Sequence, residues 1–180
     1  MNNASSARTN GKIGQEYKIA SSRFATGVTI TTALRPDGSP VGLTVSSFTS
    51  LSLDPPLILV SIHRDCRALA DLRTDGFFGV NILAAHQQSL SLRFASEIKE
   101  RFACIDWYRG KTGVPLLYDV LAFFECALES SATAGDHEIL IGRVLHVSSW
   151  DGRPLLRFSG SYCDLQELPS VVDNVRAACA

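Results

Sequence analysis

"VGLTVSSFTSLSLDPPL", Val41 to Leu57, combines two characters that seldom share one segment. Six hydroxyl residues fall in the nine positions from Thr44 to Ser52, a density that suits a solvated loop. Val45, Phe48, Leu51 and Leu53 suit a buried strand. The closing pair Pro55-Pro56 has no N–H to donate, so strand pairing is expected to break there.

Outward from this stretch the chain reads as strands joined by short turns. Upstream, "VTITTA" alternates and is β-branched, and "RPDGSP" carries the hairpin signal Asp37-Gly38, so Val41 to Ser46 is the returning strand. Downstream, Leu57 to Ile62 is a strand apolar on both faces, "CRALADLRTDG" is a short helix stopped at Gly76, and "FFGVNIL" is another strand. "AAHQQSLSLRFA" follows the helical stride through Leu83, Gln87, Leu90 and Phe94. Arg101 to Leu117 reads as an ordered loop. "LAFFECALES" and "EILIGRVLHV" form two alternating strands around the turn "AGDH", with Ile139, Ile141, Leu145 and Val147 aligned on one face of the second. "LLRFSGSYCDL" adds a last short strand or two, and "EYKIASSRFATG" begins the fold as a helix with Tyr17, Ala20 and Phe24 on one face. About seven strands, few helices and hairpin-length links predict a mainly β barrel with peripheral helices.

With 180 residues, 46% hydrophobic and 19% charged, the chain has the make-up of one globular domain. Residues 1–16 read as a loose polar tail, 17–168 as the domain and 169–180 as a C-terminal tail. A formal net charge of -1 gives no reason to expect a nucleic-acid partner, and no apolar run reaches the ~20 residues of a membrane span. The five cysteines are odd in number and form no CxxC pair, which points to a reducing cytoplasm and away from disulfides or structural zinc. The sequence has no Rossmann fingerprint, P-loop, HExxH or GxSxG, and its four histidines lack metal-ligand spacing. No metal is expected.

Three features remain. The hydroxyl-rich segment fits a slot for a flat heterocycle such as an isoalloxazine, since Thr44, Ser46, Ser47 and Ser50 are small enough to admit a ring at backbone distance. An edge strand with solvated hydroxyls is the plain alternative. "GDH", Gly135 to His137, sets an imidazole in a turn, where it either meets a ligand or merely completes a β-turn. "HRDCRAL" puts Arg64 and Arg67 at a helix start, as a phosphate site would need, although solvated arginines look the same.

Taken in order, "RFATGVTITTA", "GLTVSSFTSLSLDPPLILVSI", "FGVNILAAHQQSLSLRFAS", "GVPLL", "FFECAL", "AGDHEILIGRV" and "PLLRFSGSY" resemble the flavin reductase family over about Tyr17 to Leu165. The resemblance implies an FMN-binding split β-barrel, usually a homodimer with flavin near the subunit interface. It implies hydride transfer from NADH or NADPH to FMN or FAD, with the reduced flavin passed to a partner monooxygenase. Carried onto this sequence, it implies flavin contacts from Thr44, Val45, Ser46, Ser47, Ser50 and Ser61, and from Asn81, Arg93, Phe94 and Ala95. Arg67 would hold the flavin phosphate, and Thr26, Gly27 and His137 the nicotinamide nucleotide. His137 would position rather than act as an acid, because hydride transfer needs mainly placement. Many members carry serine or threonine where this chain has Cys66, and a thiol is a poor phosphate donor. A flavin-binding redox or sensor module without turnover is the alternative, and a β-barrel interaction protein with no cofactor is a third reading.

Overall fold

The computed structural model describes residues 13–165. The expected tail 169–180 and most of the expected tail 1–16 lie outside those residues, while 13–16 belong to a helix, α1, over 13–21. That helix is shorter than the sequence pattern predicts. It ends before Phe24, and neither Tyr17 of the helix nor Phe24 packs into a core among the described residues, being 70% and 78% exposed.

Seven antiparallel strands make the main sheet. In chain order they are β2 (Thr29–Leu34), β3 (Pro40–Val45), β4 (Thr49–Leu53), β5 (Pro56–His63), β6 (Phe77–Ile82), β9 (Ala122–Ala134) and β10 (His137–Ser149), and in space they run β3-β2-β6-β9-β10-β5-β4. Two short helices, α2 (Ala68–Thr74) and α3 (Gln88–Ala95), pack against it. Around them lie a hairpin of β7 (Trp107–Arg109) and β8 (Pro115–Leu117), and a small sheet of β1 (Thr26–Gly27), β11 (Leu156–Phe158) and β12 (Ser161–Cys163).

The sheet curls around one core. Val41, Leu43 and Val45 of β3 meet Ile58, Val60 and Ile62 of β5 there, although no ladder joins these two strands. α2 plugs the same core with Ala68, Leu69 and Leu72. A half-open barrel results, closed by side chains where the backbone pairing ends. A second core lies on the opposite face of β2, where Ile30 packs with Phe94 of α3, Leu83 and Leu117.

The two characters of the opening stretch separate in space. The Asp37-Gly38 hairpin forms as expected: Gly38 takes a φ of 80° and Asp37 accepts the Ser39 N–H at 2.8 Å. Val41, Leu43 and Val45 then face inward, and Gly42 and Thr44 face outward toward α3. The double proline does not end the pairing. Leu53 pairs with Pro56 across a two-residue turn, Asp54-Pro55, which holds a cis peptide bond.

Two further expectations change. On β10 the buried side is Glu138 and Leu140, while Leu145 and Val147 are 42% and 55% exposed. Apolar side chains sit on both sides of that strand, and register shifts at Ile141/Gly142 and Val144/His146 interrupt its alternation before Leu145. The loop from Arg101 to Leu117 contains the β7–β8 hairpin, whose strands of three residues each are too short to show an alternation.

Candidate functional site

β3 is an edge strand of the main sheet, and the cleft of interest opens beside that edge. Its volume is about 1070 Å³. β3 supplies Gly42 and Thr44, the β5–α2 connection supplies Cys66 and Arg67, and α3 supplies Phe94 and Ala95. Residues 97–103 form the far wall, and His63 stands at the end of β5.

The edge offers backbone groups to this space. The Gly42 carbonyl points outward, since it accepts a hydrogen bond from Arg101 Nη1 at 2.9 Å. By the two-residue period of a strand, the Thr44 N–H points the same way. The hydroxyls of the stretch divide into committed and open ones. Thr44 donates to the Ser91 carbonyl of α3 at 2.6 Å. Ser47 Oγ bridges the strand end, donating to the Ser61 carbonyl at 2.8 Å and accepting from the Ser61 N–H at 2.9 Å. The hydroxyls of Ser46 and Ser50 are exposed and bond to no described residue, although Ser50 pairs with Ile58 through its backbone. The apolar half of the stretch therefore builds the barrel, while its hydroxyls fasten the strand ends or remain open.

Arg67 is the uncommitted cation of the expected set. It lines the cleft just before α2, and its guanidinium makes no hydrogen bond or ion pair with a described residue. Arg35, also on the cleft, is paired with Asp71 at 3.3 Å. Arg93 uses its guanidinium on the carbonyls of Glu100, Arg101 and Ala103, so it anchors the far wall from behind. Asn81 is fully buried: its amide donates to the Ile30 carbonyl, its oxygen accepts the Leu117 N–H, and it thereby ties β6 to β2 and β8. Val45 is 5% exposed and belongs to the core. Of the residues expected at the flavin, the cleft brings together Thr44, Arg67, Phe94 and Ala95.

Thr26 and Gly27 pair with Arg157 and Leu156 in the small sheet, apart from the cleft lining. His137 opens β10 after the turn Gly135-Asp136, with Gly135 at a φ of 62° that favours glycine. Its Nδ1 lies 2.6 Å from Asp136 Oδ1. That hydrogen bond, helped by the nearby imidazoles, holds the Asp136 carboxyl below the usual carboxylate range. His63, which lines the cleft, meets His137 edge to face at 5.3 Å and so connects the hairpin to the cleft.

Sequence reasoning missed Gly42 and His63. The signal for Gly42 was a glycine inside a strand, which marks a close approach; here the Phe94 ring packs on it. His63 carried no signal until β5 and β10 were paired. A second cavity, of about 950 Å³ and lined by Tyr108, Tyr118 and Trp150, contains none of the expected residues. Among the described residues no His/Cys/Asp/Glu cluster suits a metal, and no helix is long and apolar enough to cross a membrane.

The cleft's donors suit a flavin mononucleotide. An open strand edge and small side chains would meet a ring, and an unpaired guanidinium would meet a phosphate. Comparison with known proteins agrees. The chain is 46% identical over 121 residues to a probable flavin reductase of Rhizobium meliloti, covering 67% of this chain and 39% of that longer protein. It is 38% identical over 152 residues to the FMN reductase (NADH) SmoA of Agrobacterium fabrum, covering 84% of this chain and 86% of the relative. The crystal structure of nitrilotriacetate monooxygenase component B from Mycobacterium thermoresistibile superposes with a TM-score of 0.84 at 33% identity, over 92% of this chain and 96% of that one. The model of the flavin reductase like domain matches residues 21–166, and the chain belongs to that family.

Proposed function

We propose that this protein is an NADH-dependent flavin reductase that supplies reduced flavin to a separate monooxygenase. The carrying observation is the cleft itself, where the uncommitted Arg67, the open edge at Thr44 and the Phe94–Ala95 wall meet, with the His137 hairpin joined to it through His63. The names of the relatives support the same chemistry, as a reductase using NADH and as a monooxygenase component.

A bound flavin would take hydride from the reduced nicotinamide. The chain's part is placement, which supplies most of the rate in such a transfer. Arg67 binds the flavin phosphate, the Thr44 N–H and the hydroxyls of Ser46 and Ser50 hold the ring edge, and Phe94 with Ala95 backs the wall. His137, with Thr26 and Gly27, takes the nicotinamide nucleotide. Cys66 replaces a hydroxyl donor beside the phosphate with a weaker one.

Three further readings accompany this one. The functional unit is the domain 17–168, supported by the family match over 21–166. It works as a homodimer, because Leu53, Val147 and Trp150 are 78%, 55% and 55% exposed and a partner subunit would cover them. Four described cysteines are free, which fits a cytoplasmic setting.

The test is direct. Purified protein is mixed with FMN and excess NADH without oxygen, and flavin absorbance is followed. Bleaching that requires the protein supports the reductase. Binding of FMN without bleaching returns the chain to a flavin-binding redox or sensor module.

A further inference from the structure

The end of β5 and the β9–β10 hairpin bring two imidazoles together around the Asp136 carboxylate, with the Asp65 carboxylate on the far side of His63. His63 and His137 are register partners in the ladder, with ring planes at 73°. Asp136 lies against both: Oδ1 is 2.6 Å from His137 Nδ1, and Oδ2 is 3.7 Å from His63 Nε2. The hairpin is pinned at this point, because the Arg64 N–H donates to the Asp136 carbonyl at 2.9 Å.

These contacts select tautomers. An ionised carboxylate only accepts, so His137 Nδ1 carries a proton. His63 Nδ1 accepts the Asp65 N–H at 3.2 Å, and the Asp65 carboxylate, at 3.9 Å from that nitrogen, is beyond hydrogen-bond reach, so in the neutral ring the proton is on Nε2, the nitrogen turned toward Asp136. At 3.7 Å that N–H dipole acts on the carboxylate electrostatically, without a hydrogen bond. Asp136 is 75% exposed and has little packing of its own to fix its rotamer. One oxygen faces each ring, and the two imidazoles are in edge-to-face contact at 5.3 Å.

We propose that His63 is a positioning residue for the reductase: with Asp136 it fixes neutral His137 in the Nδ1–H form, leaving Nε2 as a bare acceptor for an N–H donor of the nicotinamide nucleotide, its carboxamide. This rests on His137 being the nicotinamide contact. An acceptor at Nε2 suits a neutral amide donor, whereas a phosphate would require the opposite proton placement.

Two measurements decide it. Long-range proton–nitrogen correlation spectra of 15N-labelled protein, without nucleotide and at a pH where the imidazoles are neutral, distinguish Nδ1–H from Nε2–H directly. We expect Nδ1–H for His137 and Nε2–H for His63, and loss of the pure His137 pattern in Asp136→Asn and His63→Leu. An Nε2–H pattern for His137 in the wild type overturns the proposal. In kinetics at saturating FMN, His63→Leu should raise the KM for NADH several-fold, and His63→Gln, which keeps an N–H donor near Asp136, should restore most of it. A wild-type KM in His63→Leu, beside a raised one in His137→Ala, overturns the positioning role alone. An unchanged KM in His137→Ala overturns the nicotinamide role of His137 and the positioning role with it.

Discussion

Thr112 holds the Glu125 carboxylate from two atoms, its backbone N–H and its hydroxyl each donating to Oε2 at 2.7 Å. The Lys111 N–H donates to Oε1 at 3.1 Å, and Gly110 has no side chain because a Cβ there would collide with the carboxylate. Glu125 of β9 is 1% exposed, so this one buried anion organises the turn between β7 and β8.

Burial alone would raise the Glu125 pKa, but the bonds from Thr112 and Lys111 outweigh it and hold the carboxyl below its ordinary value. A carboxyl whose folded pKa is depressed contributes stability above its unfolded pKa of about 4.3 and loses it as pH falls through the lower folded value. Glu125→Gln should therefore cost about 1.5–3 kcal/mol at neutral pH, the range for hydrogen bonds to a charged group. The gap from wild type should narrow below about pH 4. Urea unfolding at neutral and acid pH measures this, and a gap that stays constant with pH would remove the carboxylate's charge from the explanation.

Arg67→Ala should weaken FMN binding by about 1.5–3 kcal/mol through loss of a charge-assisted phosphate contact. Riboflavin has no phosphate, so its affinity should hardly move. Fluorescence titration of both ligands separates the cases, and an equal loss for the two would show that Arg67 acts elsewhere.

Gly42→Ala tests the close approach of α3 to β3. The added Cβ would lie 2.9 Å from the Phe94 ring and 3.2 Å from Phe102, two rings already packed edge to face at 4.9 Å. Phe94 is fully buried, so the change should cost about 1–3 kcal/mol. Thermal unfolding reads the cost. Adding Phe94→Leu should recover part of it, and strict additivity of the two losses would contradict the clash.

The described thiols should separate sharply by reactivity. Burial first, and then the neighbouring Glu125, push the Cys126 thiol up to about 12, and the residue has no exposed surface. Cys104 and Cys163 are exposed. Brief alkylation of the native protein at pH 8 followed by peptide mass spectrometry should label those two and spare Cys126.

The sequence was most legible where a local rule acts alone. Asp37-Gly38 and Gly135-Asp136 form tight turns in any β context, and Gly76 stops α2 where expected, at a φ of 72°. It was less legible where two solutions have nearly equal local energy. β10 has apolar side chains on both sides, and register shifts against β9, a property of the pairing and not of the strand alone, interrupt its alternation. Site residues divide in the same way. Arg67 stays open because no acidic partner reaches it, whereas Arg93, equally able to bind a ligand, is taken up by the carbonyls of the loop that follows α3, and Asn81 by the Ile30 carbonyl and the Leu117 N–H from segments remote in sequence. Which polar side chain is left over is a property of the tertiary fold, and only the folded chain reveals it.

An open sheet edge is a template for another strand, and proteins usually shorten, charge or cover it. β3 keeps its edge open beside the cleft, and Arg101 is stationed there, its guanidinium joining the Gly42 carbonyl to that of Ser96. The guard is partial, because the Thr44 N–H is left unblocked for a ligand. Filling the cleft would then do more than load the proposed reductase: it would occupy the donor through which β3 could recruit a strand from a neighbouring molecule, so the bound ligand would also act as a stopper against edge-to-edge association.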